Sequence, residues 1–287
     1  MSIELNLGTL NGHAVGRILK EAVRRATVSI RNERIIFETH AKKSHGGTMD
    51  DVFTSADTKA QEIYTRTFQE CFPNCGVIGE ENSLNIMPRN GCTAYFTVDP
   101  LDGTKAYIRR QSHGVGTMVA LVDGGEAISA WIGDINTEEI YGYRPGSDQV
   151  WRITHMDTVE LLKHEPVIGL NSAHVMLRDP LDQYSIATQN LVAKCKSYEI
   201  IGSSIGIWMA RLWKGGVSAV FMNKGYETPW DSIPVIGISQ KLGYVFLKEV
   251  NGSWLGYKPE LSRNIYRREH DILVIHRDDL KLFLKRK

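Results

Sequence analysis

The sequence has no excess of charge of either sign, because its 287 residues carry 34 lysines and arginines against 33 aspartates and glutamates. The formal net charge of +1 excludes the broad basic surface with which proteins bind nucleic-acid polymers or anionic membranes. Hydrophobic residues make up 42% of the chain, which excludes wholesale disorder and provides for a buried core. A chain of this length forms one large domain or two moderate ones.

Cysteine is also scarce, with four residues at Cys71, Cys75, Cys92 and Cys195. They are too few for a disulfide scaffold and lack the paired CxxC spacing of a zinc site. Cys71 and Cys75 are near enough in sequence to approach each other, but we interpret all four as reduced thiols. No apolar run reaches the roughly 18 residues of a membrane span, and the first residues lack a secretory signal pattern. These absences predict a cytoplasmic protein.

The motifs of several large enzyme classes are missing as well. The chain has no GxxxxGK[ST] loop, no HExxH and no GxSxG, and Gly114-Val115-Gly116 lacks the third glycine of a dinucleotide fingerprint. Its nine histidines are scattered without ligand spacing. The chemistry must therefore be sought among other side chains.

Apolar spacing of three and four residues predicts a first helix over residues 11–30, and Thr54-Ser55-Ala56-Asp57 is an N-cap signature that predicts a second. Short apolar runs predict strands at CGVIGE, TAYFTVD, GTMVALVDGG and, after a polar stretch, at VIGL. The alternation of helices and strands predicts a mixed α/β fold with two packed sheets. We place a subdomain boundary between residues 1–155 and 156–287.

The strongest chemical signal is the hexapeptide Asp99-Pro100-Leu101-Asp102-Gly103-Thr104, which follows a predicted strand. Ligands of α/β proteins bind at the carboxyl ends of strands. Two carboxylates and the carbonyl between them form an oxygen cage suited to a hard cation such as Mg²⁺. Gly103 and Thr104 then begin a helix that offers N–H groups to an anion. A cation beside an anion cradle is typical of phosphoryl transfer, although a simple Asp-Gly turn is the alternative.

Two further acidic segments are weak signals when taken alone. Gly79-Glu80-Glu81 closes a strand-like run, but adjacent glutamates are typical of a solvated face. Trp230-Asp231 opens a predicted helix, where an aspartate is an ordinary N-cap.

Taken together with Asp57 in FTSAD, these segments occur in the order and spacing of the inositol monophosphatase superfamily, which the chain resembles from about residue 12 to its C-terminal helix. The resemblance implies a Mg²⁺-dependent, lithium-sensitive phosphatase with a layered αβαβα fold. It also implies a homodimer that acts on a small phosphorylated metabolite. The N-terminal subdomain would carry most metal ligands, and the C-terminal subdomain would supply Asp231 and the substrate contacts.

The resemblance further implies two to three Mg²⁺ ions per subunit. Glu80, Asp99 and the carbonyl of Leu101 would hold the first ion. Asp99 would bridge to a second ion held by Asp102 and Asp231. A third, weaker ion would rest on Glu80 and water.

By the same resemblance, Asp57 and Thr104 would orient and deprotonate the attacking water, and Glu80 joins them as a predicted catalytic residue. The N–H groups of Gly103 and Thr104 would bind phosphate. These roles together describe hydrolysis by metal-activated water.

Substrate contacts are predicted at Gly202, Ser203 and Ser204, where the family contacts the leaving group, although the same residues form a plain N-cap box. Lys224 or Asn223 lies nearest the position at which inositol-specific members carry a glutamate, and we predict Lys224 as the substrate contact. Glu227, a few residues further on, is either a displaced equivalent of that glutamate or unrelated to it. Either Lys42 or Lys43 would serve a glycine-bearing mobile loop that spans residues 42–51.

The branch within the superfamily stays open. Lys105, Arg109 and Arg110 look like the bisphosphate nucleotidase branch, because a second phosphate needs cations, but they are equally typical of surface charge. The run from Gly116 to Leu121 looks like the histidinol-phosphatase branch. A catalytically silent regulatory relative is the non-enzyme alternative, and the intact set of acids argues against it.

Overall fold

The computed structural model describes residues 10–43 and 51–284, and within these ranges no helix is long and apolar enough to cross a membrane. The fold is mixed α/β, as the sequence predicts, although five strands follow one another without a helix between residues 116 and 161. The α-helices, numbered α1 to α7, are Gly12–Glu33, Ser55–Cys71, Thr104–Ile108, Ile186–Val192, Ile205–Trp213, Pro229–Lys241 and Leu280–Leu284.

The first strands form a small antiparallel pair and then a large sheet. Strands β1 and β2 are Thr39–Lys42 and Asp51–Thr54, and they pair with each other. The large sheet is built from β3 to β10, which are Gly76–Gly79, Asn85–Ile86, Tyr95–Asp102, Gly116–Asp123, Glu126–Asp134, Ile140–Tyr143, Trp151–Ile153 and Val159–Leu161. Their spatial order is β10-β9-β8-β7-β6-β5-β3-β4. Because β3 and β5 are parallel neighbours, their carboxyl ends meet at one edge of this sheet.

A second sheet of six strands follows in the C-terminal half. Strands β11 to β18 are His174–Leu177, Ser197–Ile200, Ala219–Met222, Gly225–Glu227, Tyr244–Val250, Ser253–Tyr257, Tyr266–Arg268 and Ile272–His276. Six of them form the sheet in the order β12-β11-β13-β18-β15-β16. The other two, β14 and β17, pair with each other beside it.

Three apolar cores stack the helices and the two sheets into five layers. Helices α1 and α2 cover one face of the large sheet, with Tyr64 and Phe96 buried between them. Helices α5 and α6 lie between the sheets, where Trp208 packs in one cluster with residues of both. Helices α4 and α7 cover the outer face of the second sheet around Phe221. The layered αβαβα architecture is therefore confirmed.

Local capping explains where the helices that flank the site begin. The Thr54 hydroxyl accepts from Ala56 N at 3.2 Å and the Asp57 carboxylate accepts from Thr54 N, which together form a capping box at the start of α2. The Ser204 hydroxyl accepts from Ile207 N at 3.1 Å and caps α5. Both helix starts follow the polar signatures seen in the sequence.

The C-terminal half differs from the sequence prediction in one strand. The predicted strand VIGL over residues 167–170 is wrong, because Ile168 is 97% exposed and the sheet is entered only at His174, the first residue of β11. Strands β9 and β10 pair through Ile153 and Val159, so the large sheet continues past residue 155 to Leu161. The division into two subdomains at 155 stays a prediction.

The cysteines are all free thiols, as expected, but the pair that lies close together is a different one. Cys75 Sγ lies 3.7 Å from Cys92 Sγ in the buried core, whereas Cys71 is exposed on α2. Contact across the fold, not proximity in sequence, brings the two sulfurs together.

Candidate metal centre

An acidic cleft of about 580 Å³ opens where the carboxyl ends of β3 and β5 meet. Asp57 and Ser204 are fully buried and lie outside its lining, and Lys224 is exposed beyond it. The predicted site residues that line the cleft are Glu80, Asp99, Leu101, Asp102, Gly103, Thr104, Gly202, Ser203 and Asp231. The fold thus assembles most of the predicted site from four separate stretches of chain.

Three aspartates form the centre of the cleft. Asp99, Asp102 and Asp231 each place a carboxylate oxygen within 4.8 Å of the others. In a regular strand, residues three apart point to opposite faces, but the register of β5 shifts between Asp99 and Asp102, which brings both to one side. Asp231 enters from the first turn of α6, where it accepts from Thr228 Oγ1 at 2.5 Å. Such a converging set of oxygens suits a hard divalent cation.

Asp102 also links strand β5 to the start of helix α5. Its Oδ2 accepts from Ser204 Oγ at 2.6 Å and from Gly206 N at 2.9 Å. The Ser204 hydroxyl is therefore engaged by Asp102 and by the cap of α5, which favours the N-cap interpretation over a direct substrate contact for this residue.

Lys42 supplies a cation at the edge of the acidic cluster. Its Nζ lies 2.8 Å from Glu80 Oε1 and 2.5 Å from Glu81 Oε1. Burial alone lowers the pKa of Lys42, but the two carboxylates outweigh it and hold that pKa above its ordinary value. These contacts favour Lys42 over the exposed Lys43 as the residue that serves the centre; residues 44–50 of the predicted loop lie outside the described ranges.

Glu81 was expected on a solvated face, but its side chain is 3% exposed. Gln61 explains this burial, because its side-chain amide donates to the Glu81 carbonyl at 2.8 Å and accepts from Glu81 N at 3.0 Å. Glu81 is thus buried behind the cleft that Glu80 lines, and its burial depends on Gln61, which lies 20 positions earlier in the chain.

Crowding and burial make the acids of the cluster reluctant to ionise. Burial, with the charges of Asp231 and Glu81, raises the pKa of Glu80 to about 8 even beside Lys42. Burial and Asp231 raise the pKa of Asp102 to about 7, and burial with Glu80 and Asp231 raises that of Asp99 well above its ordinary value. One lysine does not balance these carboxylates. A divalent cation would replace the protons and balance them, so the residues present fit a metal centre.

Asp57 and Thr104 meet at the wall of the cleft, as predicted. Thr104 Oγ1 lies 3.2 Å from Asp57 Oδ1 and 3.0 Å from the Leu101 carbonyl, and its single proton can serve only one of these acceptors at a time. Thr54 donates its N–H and hydroxyl to Asp57 Oδ2 at 2.7 and 2.6 Å. Burial outweighs these hydrogen bonds and raises the pKa of Asp57 to about 7.

Two residues with positive φ, Gly103 and Ser203, shape the wall of the cleft. Gly103 has φ of +88°, and a Cβ on it would lie 2.4 Å from the Gly114 carbonyl oxygen. Ser203 lines the cleft with φ of +110°, and its buried hydroxyl has no hydrogen-bond partner among the described residues. Strained backbone and an unpaired buried hydroxyl are features that cluster at functional sites.

Several cleft residues were identified only in part from the sequence. Lys105 lines the cleft from α3, and Arg109 lines it from the residue that caps the end of this helix. His113 lines it as well, whereas Arg110 does not. The i, i+4 spacing of Lys105 and Arg109 was a signal that they share a face. Glu227 contacts Arg268 and Ser232 and does not line the cleft, so it is not a displaced substrate ligand.

Comparison with known proteins adds independent evidence. The model of the "Inositol monophosphatase family" matches residues 12–271. The chain is 24% identical over 238 residues to the inositol-1-monophosphatase of Bacillus subtilis (strain 168), a match that covers 82% of this chain and 81% of that protein. It is 28% identical over 105 residues to the 3′(2′),5′-bisphosphate nucleotidase CysQ of Haemophilus influenzae, covering 36% of each.

Among solved structures, the extragenic suppressor protein SuhB from Bartonella henselae superposes with a TM-score of 0.74 at 18% identity, covering 94% of this chain and 97% of that one. This likeness shows a shared fold. The family model, by contrast, spans nearly the whole chain, including every acid of the cleft. The chain belongs to the inositol monophosphatase family.

Proposed function

We propose that the protein hydrolyses a small phosphate monoester in a Mg²⁺-dependent reaction with water as the nucleophile. The observation that carries this proposal is the convergence of Asp99, Asp102 and Asp231 within 4.8 Å, beside the Asp57–Thr104 pair. Family membership supports a phosphatase.

Glu80, Asp99, the Leu101 carbonyl, Asp102 and Asp231 would hold two to three Mg²⁺ ions, as the resemblance implies. Bound Mg²⁺ lowers the pKa of water and neutralises charge on the phosphate and on the leaving oxygen. The raised pKa values of the cluster favour this, because carboxylates that resist ionisation alone ionise readily beside a cation.

Asp57 and Thr104 would handle the proton of the attacking water. When Thr104 donates to Asp57 Oδ1, the lone pairs of its hydroxyl are left to accept a hydrogen bond from water in the cleft. With Oδ2 held by Thr54, the Oδ1 atom of Asp57 is free to take the proton that Thr104 passes on. A pKa of about 7 suits a group that accepts a proton near neutral pH.

Phosphate would bind against Gly103 and Thr104, and the leaving group would face Gly202 and Ser203. We propose an inositol phosphate as the first substrate to test, since the B. subtilis relative covers most of the chain. A substrate with a second phosphate is the second candidate, because Lys105 and Arg109 line the same cleft.

Phosphate release from inositol 1-phosphate, 3′-phosphoadenosine 5′-phosphate, histidinol phosphate and fructose 1,6-bisphosphate tests the proposal directly. We expect release that requires Mg²⁺, is inhibited by lithium, and favours one substrate by about 100-fold, or about 2.7 kcal/mol in transition-state binding. Full activity in excess chelator would contradict the metal-dependent reaction. Tight binding of a phosphate ester without turnover would favour the silent relative.

Stability without metal should fall as the pH rises. Because the pKa of Asp102 is raised from 3.8 to about 7 and that of Glu80 from 4.5 to about 8, the folded protein holds more protons than the unfolded chain between about pH 4 and 8. The free energy of unfolding therefore declines across this window. Melting in chelator at about pH 5 and pH 8 measures the decline, and millimolar Mg²⁺ should restore stability more at pH 8. A metal-free protein more stable at pH 8 would contradict the assignment.

We also propose that the protein is a cytoplasmic homodimer. The free thiols of Cys75 and Cys92, 3.7 Å apart, support a reducing compartment. Light scattering of the purified protein tests the assembly.

A further inference from the structure

Arg268 is a buried cation near the start of α6. It ends strand β17, where it pairs in register with Gly225 of β14, and it is only 5% exposed. A buried charge persists only with hydrogen bonds and an opposite charge. The partners of Arg268 therefore indicate what it holds in place.

The guanidinium distributes its donors over three groups. Nη1 forms an ion pair with Glu227 Oε1, Nη2 donates to the Asn223 carbonyl, and Nε donates to the His270 carbonyl at 3.2 Å. Burial and the charge of Arg178 lower the pKa of Arg268 to about 10, which leaves it charged at neutral pH. Only a fork of several fixed donors can serve all three acceptors at once.

Glu227 transmits this anchor to the helix that carries Asp231. Its second oxygen, Oε2, accepts from Ser232 Oγ, the residue next to Asp231. Ser232 N donates to the Thr228 carbonyl at 2.9 Å, and Thr228 Oγ1 donates to Asp231 Oδ2 at 2.5 Å. The Glu227 carboxylate thus contacts the first turn of α6 through Ser232, and the ion pair with Arg268 fixes the position of that carboxylate.

We propose that Arg268 is a positioning residue for the metal centre, which acts through Glu227 and Ser232 to hold Asp231 against Asp99 and Asp102. The inference rests on the proposed function, because it concerns the cation that these aspartates bind. Glu227 belongs to this support and not to the substrate site. Removal of a group that orients metal ligands commonly costs about 10–100-fold in metal affinity.

The test compares Mg²⁺ affinity, measured by titration calorimetry on folded protein, among Arg268→Lys, Ser232→Ala and the double variant. Lysine keeps the positive charge but lacks the several fixed N–H donors of the guanidinium. Ser232→Ala removes the hydrogen bond between Ser232 and Glu227 and leaves the contacts of Arg268 in place. We expect each single variant to bind Mg²⁺ about 10-fold more weakly, and the double variant to be no worse than either, because one route carries both effects. The Mg²⁺ concentration for half-maximal phosphate release should rise likewise, with KM for the ester unchanged.

Arg267→Lys is the matched control, because Arg267 is the exposed neighbour and pairs only with Glu269 in the described contacts. A purely structural Arg268 would lower the melting temperature of Arg268→Lys while leaving Mg²⁺ affinity within about twofold of the parent, and that result would overturn the proposal. Additive losses in the double variant would also overturn it. If the parent protein binds no Mg²⁺ and releases no phosphate, the proposed function is contradicted as well. If the parent binds Mg²⁺ and the variants bind it equally well, only the role of Arg268 is contradicted.

Discussion

Asp99→Asn is expected to lower Mg²⁺-dependent phosphate release by about 1000-fold or more, equivalent to about 4 kcal/mol in the activation barrier. Asp99 is the acid that the proposal assigns to two cations at once, and a neutral amide cannot balance their charge. The fold should survive, because burial already raises the pKa of Asp99 well above its ordinary value and an amide resembles the protonated acid. Steady-state phosphate release and thermal melting in chelator measure the two effects.

Glu62→Gln provides the control, since it makes the same type of change on the exposed face of α2. It should leave both activity and the Mg²⁺-induced rise in melting temperature intact. An Asp99→Asn protein that retained more than about a tenth of the parent rate would show that the centre works without this carboxylate. A variant that melted much lower in chelator would show that Asp99 is ionised and stabilising even without metal.

Gly103→Ala is expected to be the most damaging glycine substitution at the site. The new Cβ would lie 2.4 Å from the Gly114 carbonyl oxygen and 2.9 Å from Ser204 N, and the φ of +88° is itself unfavourable for alanine. We expect a loss of about 2–4 kcal/mol in the free energy of unfolding, as for other strained or overpacked positions. Backbone shifts of about 1 Å at the phosphate wall should also lower the rate by about 100-fold.

Gly91→Ala measures the cost of a left-handed backbone at alanine without the steric contact that Gly103→Ala adds. Gly91 has a similar φ of +76°, but a Cβ there would meet nothing within 4 Å. This variant should lose only about 1 kcal/mol, the cost of the left-handed conformation, and keep full activity. Urea denaturation and phosphate release measure both variants. Equal losses in the two would mean that the close approach at Gly103 costs nothing.

The sequence was most informative where the structure depends on local signals. The capping box at Thr54 follows from a few adjacent residues. The prediction of Asp231 as an N-cap is wrong, because α6 begins at Pro229 with Thr228 as its N-cap and Asp231 lies in the first turn. Strand β5 likewise continues past Asp99 to Asp102 through a register shift. Short continuous apolar runs predicted β5 and β6, because both strands lie in the centre of the large sheet and are buried on both faces. The αβαβα order followed from the family resemblance, and the three apolar cores confirm it.

The remaining features depend on contacts between distant residues. The choice of Lys42 over Lys43 follows from the pairing of β1 with β2. The Ser204 hydroxyl donates to Asp102, which lies 102 positions earlier in the chain. The ion pair of Glu227 with Arg268 and the approach of Cys75 to Cys92 are of the same kind. VIGL was misjudged because its composition suits a strand, although Ile168 has no sheet to enter.

The placement of Asp231 on α6 has a consequence for how the molecule unfolds. Asp99 and Asp102 belong to the large sheet and Glu80 directly follows its strand β3, whereas α6 lies between the sheets and packs on both. The second ion, proposed to be held by Asp99, Asp102 and Asp231, would bind only when the half with the large sheet and the half with α6 are both folded and docked. Its binding energy, about 2.7 kcal/mol at 100 times the dissociation constant, would thus be a coupling free energy between the halves. The melting transition should therefore become narrower and move to a higher temperature when Mg²⁺ is added, because ion binding would add to the apolar contacts that already join the two sheets through α5 and α6.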